Sequence, residues 1–197
     1  MTNRLIDEFN SITNMIPELY DQLVHSKPSD WHDGSLLHRS REWIDFLHTL
    51  DGKVITVIPD YDADGLMSGD TIYAALYALG WTNVNMYYPT MATGYGLSEE
   101  SLEEALGLFP DTEVIITTDN GIKAYAGVQK AKELGLYVLV TDHHPGVELE
   151  PEADVIVNPN SFYDDTYPFK SISGGEVAYK LMVYYAQTYE TVEQLFC

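Results

Sequence analysis

The sequence predicts an α/β fold: a mostly parallel sheet of about five strands with helices on both faces, preceded by a helical N-terminal region. Three observations carry this. From residue 53 onward, short β-branched runs alternate with longer stretches of helical period, the rhythm of parallel strands joined by crossover helices. Three of the apolar runs end abruptly in acids or histidines, as expected where ligand-bearing strands leave an open sheet. The 197 residues, 45% of them hydrophobic, suffice for one domain with a sizeable core.

Taken in order, residues 4–25 place Leu5, Ile6, Phe9, Ile12, Ile16, Leu19 and Leu23 at helical spacing, interrupted by Pro17. His25–Ser35 reads as a polar loop. Leu36–Leu50 is a second helical stretch that Asp51-Gly52 stops. Residues 1–50 are therefore expected to form a helical region ahead of a main domain at 51–197. A strand over 53–58 leads into a helix from about Met67 to Leu79, ended by Gly80. Val84–Tyr88 is the second strand. Ser98 is a good N-cap, and Glu99 and Glu100 suit the first turn of a helix reaching about Leu106. Val114–Thr118 is the third strand, Ile122–Leu134 a helix closed by Gly135, and Leu136–Thr141 the fourth strand. Asp154–Val157 is a short fifth, and Gly174–Tyr189 the last helix.

Composition excludes several function classes. The one cysteine, Cys197, rules out a disulfide framework and fits a reducing compartment. There is no run of about 18 apolar residues, nor a basic-then-apolar leader at the N-terminus. A cytoplasmic protein without a membrane partner is expected. The net charge of -21 argues against a nonspecific electrostatic grip on nucleic acid. All three arginines lie before residue 50, and after it six lysines face 23 acids. Bidentate arginine clamps on phosphate are thus excluded from the main body. Metal ions, helix N-termini, histidine or lysine must do that work.

The chemistry gathers at strand ends. VITVIPDYDAD (Val54–Asp64) ends in Asp60, Asp62 and Asp64; VIITTDNG ends at Asp119; LYVLVTDHH ends at Asp142, His143 and His144. Taken singly, Asp64, Asp119 or Asp142 could each cap the following helix, Asn120-Gly121 is a common turn, and a lone histidine after a strand is usually a packing residue. Three strands ending in ligand-type side chains on one edge favour a shared site. Carboxylates with imidazoles suit Mn2+ or Mg2+, with Zn2+ or Co2+ also compatible. The number of bridging-capable acids suggests two ions, an arrangement that activates water and stabilises a displacement at phosphorus.

DYDADG, TTDNGI and TDHHP, in this order and spacing, resemble the DHH phosphoesterase superfamily, named for its Asp-His-His motif. GYGLS at Gly94–Ser98, VIVNPN at Val155–Asn160 and SISGGEVAYKL at Ser171–Leu181 resemble its RecJ branch of single-strand-specific 5′→3′ DNA exonucleases. The resemblance covers about residues 53–185. It implies that Asp62, Asp64, Asp119 and His143 are metal ligands, with Asp119 as the bridge, and that His144 contacts the scissile phosphate or the transition state. It implies further that Asp142 orients a histidine, that Asp60 is a supporting acid, and that Gly94, Tyr95 and Gly96 lie along the substrate channel. Gly174 and Gly175 would hold a phosphate through the N–H groups of the helix they open.

Two departures stand out. An arginine often precedes GYGL in the exonucleases, where this chain has Pro89-Thr90-Met91-Ala92-Thr93. The family's fourth motif, a further metal-binding Asp after the SGGEVAYK helix, has no counterpart before Cys197, and neither has the second domain. The isolated chain is accordingly expected to hold metal less well than a complete enzyme. The leading expectation is a Mn2+- or Mg2+-dependent exonuclease on single-stranded DNA, working in DNA repair and recombination, with replication or repair proteins as partners. The alternatives are a DHH hydrolase for dinucleotides or pyrophosphate, and a catalytically impaired RecJ-like binding module.

Overall fold

The structure, a computed structural model, describes residues 31–164 and 166–189. The expected helical stretch at 4–25 lies outside them. By its internal contacts the chain divides after His32, and the α/β unit begins at Asp33.

A 3-10 turn at Gly34–Leu36 leads into helix α1 (Ser40–Thr49). Strand β1 (Ile55–Pro59), helix α2 (Ala63–Ala78), strand β2 (Val84–Met86) and helix α3 (Glu99–Leu108) come next. Then come β3 (Val114–Thr118), α4 (Tyr125–Glu133), β4 (Tyr137–Thr141), β5 (Val155–Val157) and α5 (Gly174–Thr188). The five strands pair in parallel throughout, in the order β2-β1-β3-β4-β5.

Alternation within each strand builds two cores. Ile55, Val57, Val114, Ile116, Leu139, Val155 and Val157 face α1, α2 and α5. Ile58, Ile115, Val138, Val140 and Ile156 face α3 and α4. The helices change face where the order of strands reverses, as right-handed crossovers require. α1 packs into the same core as the sheet through the fully buried Trp43, Ile44 and Leu47. No helix among the described residues is long and apolar enough to cross a membrane.

Three boundaries shift by three residues or more from the sequence expectation, each for a local reason. α2 starts at Ala63 rather than Met67 because Asp62 caps it, its Oδ1 accepting from the N–H of Asp64 and of Gly65, both at 2.9 Å. The expected helix over Leu36–Leu50 is shortened to α1, with Arg39 in the left-handed region (φ 57°) just before it. α4 begins at Tyr125 rather than Ile122, because the Ile122 N–H donates to Asp142 Oδ2 at 2.9 Å and the preceding turn closes on Gly121.

Candidate metal and phosphate site

The reversal of strand order between β1 and β3 opens a crevice at their carboxyl ends, the usual place for a ligand in such sheets. β1 delivers Asp60, which is 3% exposed and accepts from the Tyr61 N–H at 2.7 Å. β3 delivers Asp119 and β4 delivers Asp142, His143 and His144. One oxygen each from Asp60, Asp62 and Asp119 lies within 4.8 Å of the others; so do ligand atoms of Asp119, His143 and His144. Asp119 belongs to both groups, which is the position of a bridge.

Asp119 is held in an unusual way. It is one of two non-glycine residues with positive φ among those described, at 60°, a region that costs roughly 1–2 kcal/mol for most residues but that Asp tolerates better. Its N–H bonds to the Thr141 carbonyl at 3.0 Å. The Asn120 carboxamide donates to the carbonyls of Ile58 and Thr118 and accepts from the Leu97 N–H, stitching β1, β3 and the GYGL loop together. Gly96, with φ 55°, lies so close that a Cβ there would stand 2.5 Å from Asn120 Cγ. A Cβ on Gly174 would stand 2.5 Å from Asp119 Oδ1, so α5 begins with glycine because this carboxylate fills the space.

The Asp-His-His stretch is wired from below. Asp142 Oδ1 accepts from His144 Nδ1 at 2.7 Å and from the N–H groups of His143 and His144. Burial alone would push the Asp142 carboxyl up, but these bonds and that from Ile122 hold it below its ordinary range. The same pairing raises the His144 pKa. His144 Nε2 lies 3.2 Å from the Tyr95 hydroxyl, which also stands 3.3 Å from the Asp119 carbonyl. Asn158 donates to the His144 carbonyl at 2.9 Å, and Asn160 to the His143 carbonyl at 2.6 Å.

His143 supplies the test of fit for a cation. Its Nδ1 faces the Ile172 carbonyl at 2.8 Å and must donate to it. In the neutral ring, Nε2 is then a lone pair, yet it stands 2.9 Å from Asp119 Oδ1. That oxygen is buried and has no aligned hydrogen bond. Two acceptors at this distance need a positive charge between or upon them. In the chain as described a proton serves: the Asp119 carboxylate lifts His143 to about 9, against the opposing effect of burial. Burial, and after it the neighbouring acids, raises the pKa of Asp119 itself; burial and the charges of Asp62 and Asp119 do the same to Asp60. A divalent cation would relieve all of these at once, and the donor set of carboxylates plus imidazole suits Mn2+ or Mg2+.

Asp64 occupies a different place from the other acids. Its two oxygens accept from the N–H groups of Gly174 and Gly175, each at 2.8 Å, and Oδ2 stands 3.8 Å from His143 Nε2. Gly174 and Gly175, expected to hold a phosphate through their N–H groups, here donate them to Asp64. Asp62, and not Asp64, Asp119 or Asp142, is the helix cap. Gly94 and Gly96 shape the loop that carries Tyr95 to His144. Sequence reasoning missed Asn120, Asn158, Asn160 and Tyr61, whose exposed ring lies edge-on to Tyr95 at 6.1 Å. Two asparagines at alternate positions directly after a strand were the available signal for Asn158 and Asn160.

Residues 54–196 match the model of the DHH family, N-terminal domain. The chain is 40% identical over 134 residues to the single-stranded-DNA-specific exonuclease RecJ of Escherichia coli (strain K12), covering 68% of this chain and 23% of that protein. To the RecJ of Bacillus subtilis (strain 168) it is 36% identical over 162 residues, covering 80% of this chain and 20% of that one. The crystal structure of exonuclease RecJ bound to manganese superposes with a TM-score of 0.66 at 31% identity, covering 78% of this chain and 38% of that chain. The chain thus spans less than a quarter of the length of these two curated relatives. The strand-end acids, the Asp-His-His stretch and the matched model agree, and the chain belongs to the DHH family through that family's N-terminal domain.

Proposed function

We propose that this chain carries the metal-binding part of a RecJ-like phosphodiesterase that hydrolyses single-stranded DNA from the 5′ end. The observation that carries the proposal is the shared position of Asp119 between an acid group and a histidine group, with an unsatisfied oxygen facing His143. Asp62, Asp64, Asp119 and His143 would hold the ions, with Asp60 beside them as a supporting acid, Mn2+ in preference or Mg2+. Bound there, such ions supply Lewis-acid polarisation of phosphate and activation of water.

The chain's own groups do the rest. Asp64 fixes the start of α5 against the site. Asp142 keeps His144 charged over a wider pH range and aims its Nε2 outward, where a phosphate oxygen would accept its proton or its hydrogen bond. The Tyr95 hydroxyl steadies that nitrogen from the loop side. The 5′ direction, a cytoplasmic setting and a role in DNA repair belong to this reading, supported by the likeness of DYDADG, TTDNGI and TDHHP to the RecJ branch.

One observation favours a second reading, a DHH hydrolase for dinucleotides. The chain carries -21 net charge, and several of its lysines are engaged: Lys53 with Glu113, Lys132 with Asp154, Lys180 with Glu176. A short substrate needs no basic track. Mn2+-dependent cleavage of a long 5′-phosphorylated strand, compared with that of a dinucleotide, tests the proposal. Turnover of the dinucleotide alone would replace the exonuclease reading, and no turnover of either by a chain that binds Mn2+ would remove both.

A further inference from the structure

A cavity of about 660 Å3 adjoins the site on the side of His144. Tyr95, Asp142 and His144 border it, and its other walls come from the start of α3, the turn after β3 and the start of α4. The volume is in the range of small-ligand sites. The lining is chemically divided. Tyr95 and Tyr125 are half-exposed rings in the wall, their hydroxyls donating to the Asp119 and Leu149 carbonyls. Glu99 and Glu100, in the first turn of α3, contribute carboxylates. Lys123 is the one lysine or arginine in the wall.

From this division we infer that the cavity is a subsite for the nucleobase of the nucleotide joined to the reacting phosphate. The inference rests on the phosphodiesterase reading for what sits beside His144. The two glutamates disfavour a phosphate among them, while a base brings no charge. A planar ring is the ligand that the tyrosines hold best, since every base has a face to stack. The glutamates add a preference, because carboxylates accept from the exocyclic amines of adenine and cytosine, which thymine lacks. Lys123, with the N-terminus of α4, which has no side-chain cap, favours the sugar-phosphate at the mouth.

The test is calorimetric titration of the chain, in Mn2+, with 2′-deoxyadenosine 5′-monophosphate and with 2-deoxyribose 5-phosphate, which lacks the base. Stacking predicts that the nucleotide binds roughly ten-fold more tightly or better. Tyr125→Ala should remove most of that advantage and leave the sugar phosphate unaffected. Ala126→Trp fills the cavity from an exposed helix position and should do the same. Equal affinities for the two ligands in the unsubstituted chain would overturn the assignment, as would undiminished nucleotide binding in both variants. Strand cleavage is followed in parallel. If cleavage occurs but base selectivity does not, the cavity assignment falls alone. If selectivity and its loss in the variants hold without cleavage, the catalytic reading falls and the cavity remains a nucleotide site.

Discussion

Asp119→Asn removes a charge without changing volume, and asparagine tolerates the φ of 60° found there. In the metal-free chain the Asp119 carboxylate holds a proton on His143, whose pKa stands at about 9 against an ordinary 6.5. The folded chain therefore binds a proton that the unfolded chain releases. That stability is fully present below 6.5 and is lost as pH rises through about 9. The interval sets a ceiling of about 3 kcal/mol, which screening at a partly exposed ring cuts to about 1 kcal/mol. For a chain of this size that is a fall in Tm of roughly 2–4 °C. In the variant the new amide can donate to neutral Nε2, so the fall should shrink to the part that His144 and Asp142 contribute. Mn2+ affinity near neutral pH should drop about 100-fold or more, equivalent to about 2.8 kcal/mol. Differential scanning fluorimetry in chelator, across neutral to alkaline pH, reads the first effect, and calorimetric titration with Mn2+ the second. A variant with the parent's alkaline fall in Tm and the parent's Mn2+ affinity would refute both the shared-proton account and the bridge.

Asp142→Asn removes the charge that raises His144, so the alkaline limb of a Mn2+-dependent rate profile should move to lower pH, with kcat down roughly 10–100-fold. Gly174→Ala would place a Cβ 2.5 Å from Asp119 Oδ1. Denaturant titration should find it less stable by about 1–3 kcal/mol, with weaker Mn2+ binding. Asn158→Ala and Asn160→Ala leave the His144 and His143 carbonyls without their donors, costing about 1–3 kcal/mol each. In a kinetic comparison, both should lower kcat more than they raise KM.

The sheet was legible because its central strands are buried on both faces, so Val114–Thr118 and its neighbours read as short β-branched runs. The strand-end acids were legible for the same reason: an apolar run stops where the sheet does. Helix starts were less so, since they depend on which acid caps and which is spoken for. Asp62 and Asp64 are equivalent in pattern, two residues apart, yet one caps α2 and the other reaches α5. Nothing local distinguishes them, because the difference is made by Gly174, 110 positions away. The asparagines were missed on similar grounds: a carboxamide that braces another strand's backbone looks in sequence like an ordinary loop residue.

The hydrogen bonds divide the five acids by task. Asp62 has two N–H donors at the start of α2, Asp64 has two at the start of α5, and Asp142 receives three backbone N–H groups and a ring nitrogen. These carboxylates are anchored by the backbone, and they set the walls. Asp119 Oδ1 has no such donor, and Asp60 has one, from the next residue in the chain. Burial pushes both of these carboxyls toward protonation. Protonated His143 offsets the charge of one of them, Asp119, and a divalent ion would offset both. The fold therefore fixes three acids by its own backbone and leaves two that gain most from a divalent ion. On that ground, metal loading should order the β1 and β3 ends of the crevice more than it orders the start of α5.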